Sequence, residues 1–547
     1  MVSVDTGQNR NEETVAQISA AIDRGDLSNA GRLSNQAINQ GLRHPIVFNA
    51  RGLALQASGY HQEALKDFEA AAAMLPRNPT LLNAMGVSLL SLTRVPEALK
   101  HFDAALAVDP RHAPSHFRRG LAQALLGDHD LAETSYKKAL ALDPNHADAI
   151  ASLASIAARK RQNELARQLA QRALSLKPGD PTATYALAMV DNAERNHEGA
   201  EAKLRAMLSD ARIRPQSRAG ALGLLGDALD GQGRYDEAFE CYVKENAELR
   251  QGSAGQFAEG SRAADSVRHL TDYFRTADAA QWVNSGSDAE ADGGTAQHIF
   301  LLGFMRSGTT LLEQVLASNP NVVATEEKGT LNEPGRVFMT SAEGLDTLAS
   351  LDDFALRHNR KAYWEHVRKQ GVDVKGKVYV DKQPLNTLKL PLIAKLFPKA
   401  KVLFALRDPR DVVFSCFRRH FRVNVMMFEF LDLKDSATFY ADIMGLAELY
   451  RAKLPLNVFE HRYEDMVADF EGRVRAVCDF IGIPWSDSMR EFNKLAPAVD
   501  LRSPSAAQVR RPLYSEAIGQ WRRYAPHLAP ALPILAPWVE KFGYPSE

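Results

Sequence analysis

The sequence predicts two regions of different fold class, an all-α repeat array and an α/β domain with a central parallel sheet. A repeated pattern with a period of 34 residues in the first half predicts the array. In the second half, short apolar runs alternate with segments of helical periodicity, which is typical of βαβ units. The expected boundaries are residues 1–245 for the repeats, 246–297 for a helical linker and polar loop, and 298–547 for the α/β domain.

The period is carried by small residues and prolines. Prolines end the second helix of successive repeats, and small residues allow two antiparallel helices to approach closely. The positions that hold the spacing are Pro76, Pro110, Pro144 and Pro178, with Ala30, Ala64, Ala98, Ala132, Ala166 and Ala200. The pattern resembles the tetratricopeptide repeat, and we count seven units, the last anchored at Ala238. Such an array is expected to hold a peptide or partner protein in its groove, although a rigid spacer or a dimerisation surface is also open.

Composition excludes several classes of protein. Lys and Arg total 66 against 67 Asp and Glu, so there is no basic surplus of the kind that drives nucleic-acid binding. The three cysteines are far apart in sequence, which favours neither a disulfide scaffold nor a zinc site. No signal peptide and no membrane-spanning stretch is recognisable, so we expect a cytoplasmic protein with no membrane span.

The stretch GFMRSGTT at residues 303–310 is a candidate anion-binding loop. Its two glycines have the spacing of a P-loop, but Thr309 stands where the lysine of that motif would be, which argues against ATP or GTP hydrolysis. The loop joins a predicted strand to a predicted helix, whose N-terminal amides and dipole favour an anion. An ordinary strand-to-helix turn is the alternative.

A second basic segment, LRDPRDVVFSCFRRHFR at residues 406–422, also leads from a strand into a helix. Arg407 lies at the end of the strand, and Ser415 and Arg419 are expected on one face of the helix. This spacing fits a second phosphate clamp or a solvated basic helix face. Two clamps without a P-loop lysine would suit a ligand with separate 5′- and 3′-phosphates.

Together these stretches resemble the sulfotransferases that use 3′-phosphoadenosine 5′-phosphosulfate (PAPS), and most specifically the tyrosylprotein-sulfotransferase-like branch, fused to tetratricopeptide repeats. The resemblance implies a P-loop-like sulfotransferase fold and covers roughly residues 298–545. It also implies that the 5′-phosphosulfate is held by Arg306, Ser307, Gly308, Thr309 and Thr310, and the 3′-phosphate by Arg407, Ser415 and Arg419.

The same resemblance implies roles for further residues. Glu327 is implied as the catalytic base, while Arg306, Lys382 and Ser505 stabilise the charge that develops during transfer. Tyr463, Ser505, Gln508 and Arg511 are implied as further cofactor ligands. The chain departs from the pattern at Met305, where the family has proline, and at Gln520, where it has lysine. If Glu327 is not the base, His420 is the next candidate.

The leading hypothesis is therefore transfer of a sulfuryl group from PAPS, without a metal, to a hydroxyl of an acceptor. Tyrosine in a peptide or protein recruited by the repeats is the expected acceptor, and glycans, lipids and small phenols are the alternatives. A P-loop kinase is disfavoured by Thr309, whereas a catalytically inactive repeat scaffold stays open because of Gln520. The sequence does not determine the oligomeric state.

Overall fold

The computed structural model describes residues 5–211, 213–257, 262–283, 293–419, 422–495 and 516–546. The chain divides into two compact units, Met1–Ile213 and Arg214–Glu547. No helix among the described residues has both the length and the apolarity needed to cross a membrane.

The first unit consists of antiparallel helix pairs. Its helices are α1 (Asp5–Asp23), α2 (Leu27–Asn39), α3 (Pro45–Ala57), α4 (His61–Met74), α5 (Pro79–Ser91), α6 (Val95–Val108), α7 (Ala113–Leu126), α8 (His129–Leu142), α9 (Ala147–Arg159), α10 (Asn163–Leu176), α11 (Pro181–Ala193) and α12 (His197–Leu208). The alanines that hold the sequence period are all fully buried. In successive pairs a glycine packs against an aromatic ring 16 residues later, as Gly86 does against Phe102, where an added Cβ would lie 2.5 Å from the ring. The predicted repeat architecture is confirmed.

A seventh helix pair, α13 (Pro215–Gly231) and α14 (Tyr235–Ser253), belongs to the second compact unit. Residue 245, where we expected the array to end, lies inside α14. The expected linker contains a helix, α15 (Ala263–Thr276), while residues 258–261 and 284–292 are outside the described residues. The exact limits of the functional domains stay a prediction.

The second unit contains a five-stranded sheet in which every pairing is parallel, as the sequence predicts. The strand order is β2-β3-β1-β4-β5. The strands are β1 (Gln297–Gly303), β2 (Val322–Thr325), β3 (Val378–Lys382), β4 (Lys401–Leu406) and β5 (Asn457–Arg462). Because β1 is central and the chain leaves it first towards one edge and then towards the other, a crevice is expected at its carboxyl end, where ligands bind in open α/β sheets.

Helices flank this sheet. They are α16 (Thr309–Ala317), α17 (Asn332–Phe338), α18 (Ala342–Ala349), α19 (Asp353–Lys369), α20 (Leu390–Leu396), α21 (Pro409–Phe417), α22 (Leu433–Lys453), α23 (Tyr463–Ala468), α24 (Phe470–Ile481), α25 (Phe492–Leu495) and α26 (Leu532–Lys541). A buried apolar cluster joins α16 and α24 to β1, β3 and β4 and includes Leu301, Leu316 and Val477. This packing holds the strands whose ends form the site.

Candidate active site

The loop between β1 and α16 is shaped by two glycines. Gly303 has φ +149°, and a Cβ there would lie 2.4 Å from the carbonyl oxygen of Ala405 on β4. Gly308 has φ +90° and precedes α16, where a Cβ would lie 2.7 Å from the ring of Tyr463. Neither position accepts a side chain without movement of its neighbours. The loop therefore turns tightly at the carboxyl end of the central strand and leads directly into a helix N-terminus.

Arg306 lies between these glycines in the left-handed region, with φ +66°, which is uncommon for a residue with a side chain. Its Nε donates a hydrogen bond to Oγ of Ser415 at 3.0 Å. Its backbone carbonyl accepts a hydrogen bond from Nη1 of Arg407 at 3.1 Å. The two basic segments of the sequence therefore meet in one place, as the resemblance implies.

Positive charge is concentrated at this meeting point. Burial lowers the pKa of Arg306 to about 9, and the nearby positive charges of Arg419 and Arg407 contribute in the same direction. Like charges so close together disfavour one another unless an anion lies between or beside them. The electrostatics of the loop therefore favour a bound anion.

Arg407 also has a donor that fits such an anion. The residue is buried, and its Nη2 donates to the carbonyl oxygen of Ala517 at 2.5 Å. Its guanidinium lies over the ring of Tyr463, with 5.0 Å between the guanidinium carbon and the ring centroid. The buried Nε has no hydrogen-bond partner among the described residues. A buried guanidinium with a spare N–H suits a phosphate or sulfate oxygen.

On the other side of β1, Lys382 lies at the end of β3, opposite Leu301 of β1 in the pairing register. The lysine is fully buried and contacts two carboxylates, Oε1 of Glu327 at 3.0 Å and Oε2 of Glu313 at 3.3 Å. Burial by itself would lower the pKa of Lys382, but the charges of Glu313 and Glu327 outweigh it and raise that pKa. Lys382 is therefore held as a cation beside the implied catalytic base.

Glu326 and Glu327 follow β2, beyond the last residue of the strand. Nζ of Lys382 donates its hydrogen bond to Oε1 of Glu327, the residue selected by the resemblance. The negative charge of Glu326 nevertheless reaches Glu313, since it contributes to the raised pKa of that carboxyl group. The charges of both neighbouring glutamates therefore act on Glu313.

One sequence expectation about the second basic segment is wrong. We expected Arg419 and Ser415 on one face of the same helix, but α21 ends at Phe417, before Arg419. The amide of Arg419 instead donates to the carbonyl oxygen of Cys416 at 3.3 Å. Arg419 still acts on Arg306 through its charge.

The structure describes the surroundings of some of the other sequence-predicted residues, while the rest lie outside its described residues. Ser307, Thr309 and Thr310 are buried at the start of α16, where first-turn amides have no partner within the helix. Gln520 accepts a hydrogen bond from Nη2 of Arg418. The remaining predicted residues, Ser505, Gln508, Arg511 and His420, lie outside the described residues, and their roles stay predictions.

Comparison with known proteins agrees with this geometry. Residues 298–487 match the profile of the sulfotransferase family, and residues 83–147 and 219–244 match profiles of the tetratricopeptide repeat. The sequence is 27% identical to protein-tyrosine sulfotransferase 1 of Danio rerio over 45% of this chain and 72% of that protein. It is 26% identical to the human protein-tyrosine sulfotransferase 1 over 48% of this chain and 75% of that protein.

A protein of Aquifex aeolicus, named only as uncharacterized, is 26% identical over 63% of this chain, and the match spans less than half, 44%, of that protein. Among solved structures, a tetratricopeptide repeat protein from Parabacteroides merdae is 19% identical in sequence, with a TM-score of 0.34. The alignment covers 44% of this chain and 93% of that protein's chain.

The chain thus joins tetratricopeptide repeats to a domain of the sulfotransferase family. The resemblance read from the two basic segments is confirmed at this level. Sulfuryl transfer is the activity that the family match supports.

Glu313 was not identified from the sequence. It is fully buried on α16 and is the one charged residue in the stretch TTLLEQVLA, and that isolated charge was the available signal. Burial raises the pKa of Glu313 to about 7, against the opposing effect of Lys382. Its carboxyl group therefore titrates near neutral pH within contact distance of Lys382.

We predict that Glu313 makes the stability of this unit depend on pH. A carboxyl group with a raised folded-state pKa stabilises the fold below its unfolded pKa, and this contribution is lost as pH rises through about 7. The loss amounts to about 3 kcal/mol. Glu313→Gln should remove it, so the unfolding free energy of the variant relative to wild type should rise between pH 5 and pH 8.

Tryptophan fluorescence during urea unfolding can measure this change, because all five tryptophans lie in the second unit. Glu540→Gln, which removes an exposed carboxylate from the same unit, is the control. An identical pH dependence for wild type and Glu313→Gln would contradict the prediction.

Proposed function

We propose that this protein transfers a sulfuryl group from PAPS to the hydroxyl group of tyrosine in a peptide or protein. The observation that carries the proposal is the pair formed by Glu327 and Lys382, 3.0 Å apart. Lys382 ends β3, the neighbour of the strand that leads to the Arg306 loop, and Glu327 follows β2. A carboxylate and a cation beside an anion-binding loop are what a base-assisted transfer to a hydroxyl requires.

The donor set fits PAPS. The Arg306 loop and the N-terminus of α16 suit the 5′-phosphosulfate, and Arg407 with Ser415 and Arg419 suits the 3′-phosphate. The spare Nε–H of Arg407 and the clustered positive charges support this assignment. In this proposal cationic side chains supply the charge that a metal ion supplies in nucleoside triphosphate enzymes, so independence from Mg²⁺ is a prediction.

In the proposed reaction the tyrosine oxygen attacks sulfur, and the bond between sulfur and the bridging oxygen of the 5′-phosphate breaks. Glu327 takes the phenolic proton, because a phenol with a pKa of about 10 is a weak nucleophile at neutral pH. The electron pair of the broken bond stays on the 5′-phosphate oxygen. Lys382 and Arg306 stabilise that negative charge.

The choice of tyrosine rests on two lines of support. Several relatives of about 26% identity are named protein-tyrosine sulfotransferases, and tetratricopeptide arrays are a common means of binding proteins. In this proposal the first compact unit recruits the acceptor, while residues 298–547 carry out the transfer.

We predict that Glu327→Gln lowers the turnover number by about two orders of magnitude or more, since it removes the general base. Its affinity for adenosine 3′,5′-bisphosphate should stay within about twofold of wild type, because Glu327 does not belong to the anion loop. Glu326→Gln is the matched control and should retain most of the activity. Transfer of labelled sulfate from PAPS to a tyrosine peptide measures turnover, and calorimetry measures affinity.

Activity lost in Glu326→Gln and kept in Glu327→Gln would assign the base to the neighbouring residue. If both variants stay active, the base lies elsewhere, and His420 becomes the residue to substitute.

We predict that adenosine 3′,5′-bisphosphate binds at least about a hundredfold more tightly than ATP and does so in the presence of EDTA. The reason is that the two basic segments match two separated phosphates, whereas the lysine of a P-loop is missing. Isothermal titration calorimetry with both nucleotides, with and without Mg²⁺, measures the difference. Equal affinities or a strict need for Mg²⁺ would refute the PAPS assignment.

We predict that removing residues 1–213 raises KM for a protein acceptor by about tenfold or more but leaves bisphosphate affinity unchanged, because only acceptor-binding energy is lost. The acceptor is the protein that full-length enzyme labels with sulfate in a lysate. A short tyrosine peptide is the control substrate, and its kcat/KM should not change. Equal KM values for the protein acceptor in both enzymes would favour a spacer role for the repeats.

A further inference from the structure

The seventh helix pair contacts the end of α21, the helix that carries Ser415. The last carbonyl groups of an α-helix have no partner within the helix. At this helix end, the carbonyl oxygen of Phe417 accepts a hydrogen bond from Nδ2 of Asn246 on α14 at 2.9 Å. Asn246 is 2% exposed, so the hydrogen bond is shielded from water. A repeat helix thus caps the helix of the second basic segment.

Aromatic contacts support the same junction. The ring of Phe239, also on α14, stacks on the ring of Phe417 with centroids 5.6 Å apart and an interplanar angle of 25°. The ring of Phe239 also stacks on the imidazole ring of His527, with centroids 4.5 Å apart. Phe414 on α21 packs against Tyr524 at 4.3 Å, and the hydroxyl group of Tyr524 donates to Asp230 on α13. Both helices of the pair therefore contribute to the position of the end of α21.

Two consecutive arginines follow this end and have different surroundings. Nη2 of Arg418 donates a hydrogen bond to Oε1 of Gln520, and its Nη1 lies 3.9 Å from Oδ1 of Asp230. Arg419 acts by its charge on Arg306 in the anion loop. The turn after Phe417 therefore directs one arginine to the repeat helix α13 and brings the next one near the anion loop.

We propose that the seventh helix pair is a positioning element of the transferase site, and that Asn246 and Phe239 set the affinity for the 3′-phosphate through Phe417. This inference rests on the proposed function, which assigns the 3′-phosphate to Ser415, Arg407 and Arg419. The pair retains the repeat pattern in sequence and, in this inference, serves the anion site.

The test compares two nucleotides that differ only in the 3′-phosphate, namely adenosine 3′,5′-bisphosphate and AMP. In full-length protein, the ratio of the AMP dissociation constant to the bisphosphate dissociation constant measures what the 3′-phosphate contributes. Asn246→Leu removes the hydrogen bond to Phe417 without a change of charge and should lower this ratio about three- to tenfold. AMP affinity should change by less than about twofold, because AMP carries only the 5′-phosphate that the Arg306 loop holds.

Phe239→Leu is a second, milder variant, since Phe239 is only partly buried, and it should lower the same ratio in the same direction. Gln251→Leu on the exposed side of α14 makes a comparable substitution away from α21 and should leave the ratio at the wild-type value. Tryptophan fluorescence checks that each variant is folded.

Unchanged ratios in both Asn246→Leu and Phe239→Leu would overturn the inference. An equal loss of affinity for both nucleotides would also overturn it, because that result indicates a general structural defect and not a role at the 3′-phosphate. A wild-type ratio near one would instead refute the proposed PAPS site, and the inference would fail with it.

Discussion

The site depends on arginines brought close together at the carboxyl ends of two adjacent strands, with Arg407 buried and Arg306 partly buried. Arg306 is held in a left-handed backbone conformation between two glycines that tolerate no side chain. Burial lowers its pKa to about 9, and the positive charges of Arg419 and Arg407 act in the same direction. Such an arrangement is unfavourable in the absence of an anion and becomes favourable when a multiply charged anion binds. In the proposed function, the loop and the helix N-terminus hold one phosphate group of that ligand and the spare donor of Arg407 serves the other.

The sheet order determines what can surround that charge. Because β1 is central, its carboxyl end has β4 on one side and β3 on the other. The segment after the first neighbour supplies Arg407 and leads to Ser415, which are anion ligands in the proposed function. The second supplies Lys382, which meets Glu313 of α16 and Glu327 from the segment after β2. In the proposed function Lys382 is the cation and Glu327 the proton acceptor. In the proposed function a single topological feature therefore brings binding and chemistry together, since ligands of open parallel sheets bind at the carboxyl ends of the strands.

The surroundings of the site extend further than the family resemblance implies. Glu313 lies beneath Lys382 on α16, and its pKa of about 7 makes the charge of the cluster sensitive to pH near neutrality. On the opposite side, the helix pair α13–α14 contacts the end of α21 through Asn246 and Phe239. A helix pair with the sequence pattern of a protein-binding repeat is in this way packed into the transferase unit.

The sequence by itself determined the two fold classes, the repeat period, the parallel sheet and the two basic segments, because periodicity, turn glycines and strand-end residues are local properties of the chain. It also marked Arg306, Arg407 and Ser415 through the two basic segments, while the family resemblance implied Glu327 and Lys382. Only the tertiary structure decided that α21 ends at Phe417, that Glu313 pairs with Lys382 and that Asn246 caps α21. These features depend on contacts between segments distant in sequence, 69 residues apart for the pair of Glu313 and Lys382 and 171 for Asn246 and Phe417, and no local pattern encodes such contacts.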